Sequence, residues 1–126
     1  MVDFERKDVY TTDDLLKIME ILRSPEGCPW DRAQTHKSVR ANFIEETYEA
    51  IEAIDTEDRE LLKEELGDVL LQVVLHSQME KEAGSFTFEE VVDGVAQKLV
   101  YRHPHVFGDV NASNEAEALK SWDDAK

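Results

Sequence analysis

Glu46 and Glu49, three apart in FIEETYEAI, and Glu65 and Asp68, three apart in EELGDVLLQ, are the side chains best placed to do chemistry. A spacing of three sets each pair on one side of a helix. If the two segments are helices folded back on each other about residue 57, Glu49 stands level with Glu65 and Glu46 with Asp68. The two levels then lie about 4.5 Å apart. Four carboxylates in so small and poorly solvated a volume cannot all stay ionised without a cation. An all-oxygen set favours a hard divalent ion, Mg²⁺ or Mn²⁺.

The competing reading is a solvated acidic face, which suits Glu52, Glu57, Glu60 and Glu64. It suits Asp68 poorly. Asp is a weak helix former, and this one follows Gly67 in mid-helix between Leu66, Val69 and Leu70; Gly67 itself could mark a close helix contact. A di-iron carboxylate bundle needs Glu-x-x-His, and none of His36, His76, His103 and His105 has a Glu three residues before it. His103 and His105 lack a third ligand for zinc. His76 continues the stripe of Glu65, Asp68 and Gln72, and reads as a hydrogen-bonded core histidine. Cys28 has no neighbouring base and reads as structural.

Two cations complete the set. Lys98 and Arg102 are four apart on one helix face, and a turn near residue 85 would bring Arg102 level with Asp68. A metal beside Lys and Arg suits a polyphosphate, although ordinary surface ion pairs would use the same two residues.

The elements that must position these residues are helical. Apolar periodicity predicts helices over about 12–23, 37–54 and 57–83, and a fourth opened by Thr87-Phe88-Glu89-Glu90 and stopped by Pro104. Thr11 or Thr12 caps the first. In the second the expected apolar stripe is Val39, Phe43, Ile51 and Ile54. Phe86 and Val91 form a hydrophobic staple, and Val91, Val92, Val95, Leu99 and Val100 line the fourth helix. Pro25, Gly27 and Pro29 predict a loop before residue 37, Gly84 ends the third helix, and a helical tail begins near Asn114. The fold class is all-α, built on antiparallel hairpins, as a single domain over 1–126 with a core over 12–110.

Composition narrows the function classes. The 126 residues carry a formal charge of −15, which argues against a nucleic-acid duplex or an anionic membrane as partner. Only three prolines and five glycines occur, which favours helices. No apolar run is long enough to span a bilayer, and Met1-Val2-Asp3-Phe4 does not open a signal peptide. The single cysteine fits the cytoplasm.

The runs GCPWDRAQTH, EETYE, EELGDVLLQVVLHS and KLVYRHPHVFGD, in that order, closely resemble the MazG-type nucleoside triphosphate pyrophosphohydrolases over about residues 12–124. The family signature, Glu-Glu-x-x-Glu followed by Glu-x-x-Asp, is matched by Glu45, Glu46, Glu49, Glu65 and Asp68. The resemblance implies a homodimer forming four-helix bundles, and Mg²⁺-dependent hydrolysis of an NTP or dNTP to monophosphate and pyrophosphate, with housecleaning of the nucleotide pool as its role. It makes Glu46, Glu49, Glu65 and Asp68 metal ligands, and Lys98 and Arg102 phosphate contacts. Glu45 or one of the ligands would accept a proton from water. Trp30, Gln34 and Thr35 in the loop, with His103 and Trp122, would lie near the nucleotide. Tyr101 departs from the pattern, standing where many relatives carry a second basic residue. Many relatives also have two modules or a longer tail, so the chain is a short member or a truncated one. The alternative function is a helical regulatory or interaction module that binds metal or nucleotide without turnover.

Overall fold

A computed structural model describes residues 2–126. Among these residues the only regular structure is helical. The first helix, α1 (Thr12–Leu22), is capped by Thr11. The Thr11 hydroxyl accepts from the Asp14 backbone, and the Thr11 N–H donates to the Asp14 carboxylate, a capping box. Its buried face carries Met19, flanked by Leu15 and Leu16.

The segment after α1 is more ordered than its prolines predict. A Cβ on Gly27 would lie 2.0 Å from the Ile21 carbonyl oxygen, so only glycine lets the chain close on the end of α1. Cys28 N–H then donates to the Leu22 carbonyl at 2.8 Å. Pro29 occupies the first position of a short helix, α2 (Pro29–Ala33), where its missing N–H costs nothing. Arg23 ties this segment down. Its Nε and Nη2 hold both oxygens of Glu82, and its Nη1 donates to the carbonyls of Asp31 and Gln34.

The next helix, α3 (Arg40–Asp55), begins three residues later than expected. Thr35 and Ser38 exchange backbone-to-hydroxyl bonds of 2.8 and 3.2 Å, which hold a turn in place of a first helical turn at Lys37. The expected apolar stripe is corrected as well. Val39 is buried, but Ile51 and Ile54 are 47% and 58% exposed, and the buried residues of α3 are Ala50 and Ala53. The small alanines allow α3 to pack closely on α4 (Arg59–Glu82).

The α3–α4 connection is Thr56-Glu57-Asp58. Glu57 takes a φ of 55°, and Asp58 caps α4 by accepting from Leu61 N–H, so α4 starts two residues past the expected Glu57. Gly84, at φ 75°, closes α4 as foreseen. Its N–H donates to the Lys81 carbonyl and Ser85 N–H to the Glu80 carbonyl, a Schellman motif. Gly67 is no close helix contact: a Cβ there would meet open space. The core lies between α1, α3 and α4, with Met19, Val39, Val74, Leu75 and Met79 at its centre and Leu71 and Phe88 packed against it.

The chain divides into two compact units, the first ending at Phe88 and the second covering Glu89–Lys126. Directly after Thr87 comes α5 (Phe88–Tyr101), on which Val92, Val95, Leu99 and Val100 are exposed. Pro104, expected only to stop that helix, also opens α6 (Pro104–Phe107), which packs on α7 (Glu115–Asp124). Asn114 caps α7 by accepting from Glu117 N–H at 2.9 Å. No helix of the described residues is long and apolar enough to cross a membrane.

Candidate metal centre

The hairpin brings three carboxylates together. One oxygen from each of Glu46, Glu49 and Glu65 lies within 4.8 Å of the others, Glu65 being buried and the other two half-buried. Asp68, one turn beyond Glu65 and half-buried, is not among the three whose oxygens meet, but its charge acts on Glu46. Burial pushes the Glu65 carboxyl up to about 7, reinforced by its contacts with Glu49 and Glu46. Glu46 is also raised, chiefly by burial, with the Asp68 and Glu49 charges adding to it.

Two oxygens here have no protein partner: Glu46 Oε2 and Glu65 Oε2 are buried and accept no hydrogen bond. Buried acceptors left bare are costly, and an ion is one of the few things that explains them. Clustered carboxylates with inward lone pairs and all-oxygen chemistry fit a hard divalent cation. Glu45 is exposed on the same turn as Glu46.

Beyond the carboxylates, α4 continues the polar stripe through Gln72, His76 and Glu80. Gln72 is 7% exposed and its Oε1 is unpartnered. His76 is half-buried, with Phe43 of α3 against its ring. One of its nitrogens is hydrogen-bonded, as anticipated for a core histidine; the other, Nε2, is not. Its partner is His36, a loop residue forty positions away that no sequence periodicity connects to α4.

The other candidate residues fall as follows. Trp30 is 60% exposed. Gln34 donates to the Trp30 carbonyl and accepts from the Ser38 hydroxyl, while Thr35 belongs to the turn before α3. In the second unit, Lys98 is exposed, and the Arg102 guanidinium lies 5.0 Å over the Trp122 ring. His103 packs on the same ring at 5.0 Å and bonds the Leu99 carbonyl through Nδ1. His105 pairs with the buried Ser121 hydroxyl.

Residues 34–107 match the model of the MazG nucleotide pyrophosphohydrolase domain. The chain is 54% identical over 114 residues to the nucleoside triphosphate pyrophosphohydrolase/pyrophosphatase MazG of Thermotoga maritima, covering 90% of this chain and 43% of that protein. It is 48% identical over 115 residues to the nucleoside triphosphate pyrophosphohydrolase of Escherichia coli K12, covering 90% and 44%. The chain thus spans less than half the length of these relatives. Its fold matches the crystal structure of a mazG-related protein from Thermotoga maritima with a TM-score of 0.71 at 28% identity, over 90% of this chain and 97% of that one. Signature, helical hairpin and matched domain agree: the chain belongs to the MazG nucleotide pyrophosphohydrolase family.

Proposed function

We propose that this chain hydrolyses nucleoside triphosphates, ribo- or deoxyribo-, to nucleoside monophosphate and pyrophosphate with Mg²⁺, Mn²⁺ being a possible substitute, as part of nucleotide-pool housecleaning in the cytoplasm. The observation that carries this reading is the convergence of Glu46, Glu49 and Glu65 with two buried oxygens left bare. Glu46, Glu49, Glu65 and Asp68 would hold the ion, which supplies charge neutralisation on the polyphosphate and a more acidic bound water. Glu45, or one of the four, takes the proton as the water oxygen bonds to phosphorus and the bridging oxygen leaves with the pyrophosphate. Lys98 and Arg102 are our phosphate contacts, where charge builds on the departing oxygens. Trp30, Gln34, Thr35, His103 and Trp122 are assigned to the nucleotide on the family resemblance alone.

The same reading includes a homodimer in which paired hairpins complete four-helix bundles. What supports it is apolar surface that a lone chain leaves uncovered. On α3, Phe43, Ile44, Thr47, Tyr48 and Ile51 line a groove of about 290 Å³, and Ile54, Leu66 and Leu70 are exposed as well.

Incubation with each of the eight common NTPs and dNTPs plus Mg²⁺, followed by pyrophosphate assay, tests the activity. Release that disappears in Glu49→Gln and in Asp68→Asn is the expected result. A folded protein that binds nucleotide yet releases pyrophosphate from none of the eight is a binding module, and the catalytic proposal is then wrong.

A further inference from the structure

His36, His76 and Glu80 form a chain of hydrogen bonds whose directions can be worked out. A carboxylate only accepts, so the 2.8 Å contact between Glu80 Oε1 and His36 Nε2 puts the proton of a neutral His36 on Nε2. His36 Nδ1 is then a bare lone pair, and it faces His76 Nδ1 at 2.6 Å. That separation is too short for a face-to-face stack. The two ring planes, 4° from parallel with centroids 4.9 Å apart, therefore meet edge to edge and share one proton. With His36 neutral, His76 Nδ1 is the donor, which leaves His76 Nε2 as the bare nitrogen.

Nε2 is the atom with no partner. It is buried and unbonded, and so is the Gln72 carboxamide oxygen one turn back toward Asp68. Burial, the larger cause, and the neighbouring His36 lower the His76 pKa, which keeps the ring neutral. Phe43, with its centroid 5.5 Å from that of His76, restricts turning of the ring. A relay that fixes one tautomer and then leaves its working end empty is poor economy for a purely structural contact.

We infer that His76 Nε2, together with the Gln72 carboxamide, receives a hydrogen-bond donor from the nucleoside part of the bound nucleotide, and that Glu80 and His36 are positioning residues for it. This rests on the reading above, in which the phosphates lie at the carboxylates. From Asp68, Gln72 is about 6 Å and His76 about 12 Å further along α4. A nucleoside attached to phosphates at one end of the stripe reaches along it on that order. The donor is an N–H of the base or an O–H of the sugar. Both are the same chemistry at this lone pair.

Histidine-selective ¹⁵N spectra of the wild-type protein, in mildly alkaline solution, test this directly. The expected result is a His76 proton on Nδ1, and an Nε2 signal that moves on adding a non-hydrolysable α,β-imido nucleotide with Mg²⁺ but stays in place with inorganic tripolyphosphate. A proton on Nε2 of the free protein overturns the relay. An Nε2 signal that ignores the nucleotide, or answers tripolyphosphate equally, overturns the nucleoside assignment.

His76→Phe keeps the ring and removes the nitrogens. It should weaken nucleotide binding roughly fivefold to tenfold, measured by calorimetry, and spare tripolyphosphate; equal loss for both ligands counts against the assignment. A ribose triphosphate without a base and a dideoxynucleotide separate the two donors, and a response to either supports the inference. Pyrophosphate release with a silent His76 sinks this inference alone. A shifted His76 without release sinks only the catalytic reading.

Discussion

In the proposed metal centre, protons and the ion would compete for the same oxygens at Glu65. In the unfolded chain its carboxyl titrates near 4.5, and in the folded one at about 7. Between those values the folded state keeps a proton that the unfolded state has released. Stability of the metal-free protein should therefore fall as pH rises from about 4.5 to about 7. The raised Glu46 adds to the same slope. A divalent cation displaces that proton, so its apparent affinity should climb across the window and its binding should release acid. Melting temperatures at the two ends of the window, with and without Mg²⁺, read both effects; a metal-free protein that grows more stable toward pH 7 contradicts them. Glu65→Gln removes one of the repelling charges. It should raise the melting temperature of the metal-free protein near neutral pH, abolish the gain from Mg²⁺, and cut turnover on the order of a hundredfold or more.

Among the helices, α4 has two duties, because one face is core and the adjoining stripe carries the acids. Leu75 belongs to the first. Leu75→Ala should cost about 2–5 kcal/mol in denaturant unfolding, and any loss of metal binding should track the loss of folded protein. The hairpin register was readable from the chain because α3 ends at Asp55 and α4 begins at Arg59, symmetric about residue 57. Equal spacing from that turn is enough to pair Glu49 with Glu65. The apolar face of α3 was not readable in the same way. Ile51 and Ile54 recur with helical period, but periodicity does not separate a face turned to the core from one turned outward, and the alanines took the packed positions. The role of Arg23 has no local signature, because its partners, Glu82 and the carbonyls of Asp31 and Gln34, come from places no sequence pattern connects.

As a single chain the protein leaves Ile44, Tyr48, Ile51, Leu66 and Leu70 in water. Exposed apolar side chains that gather into a patch mark interaction surfaces. If a second copy covers it, Tyr48→Glu combined with Ile51→Asp should yield monomers by sedimentation at concentrations where the wild type is dimeric. A wild type that sediments as a monomer at every concentration refutes the pairing. The formal charge of −15 means that added salt should favour association by screening the repulsion between copies. The three-residue connection Thr56-Glu57-Asp58 has a separate consequence. It works as a gear with fixed teeth, since everything upstream in α3 is phased to α4 through it. One alanine inserted in α3 between Glu49 and that connection would swing Glu46 and Glu49 round by about 100° and slide them about 1.5 Å. The proposed centre would be dismantled with all four carboxylates still in the sequence, and the stabilisation expected from Mg²⁺ should disappear in a melting experiment.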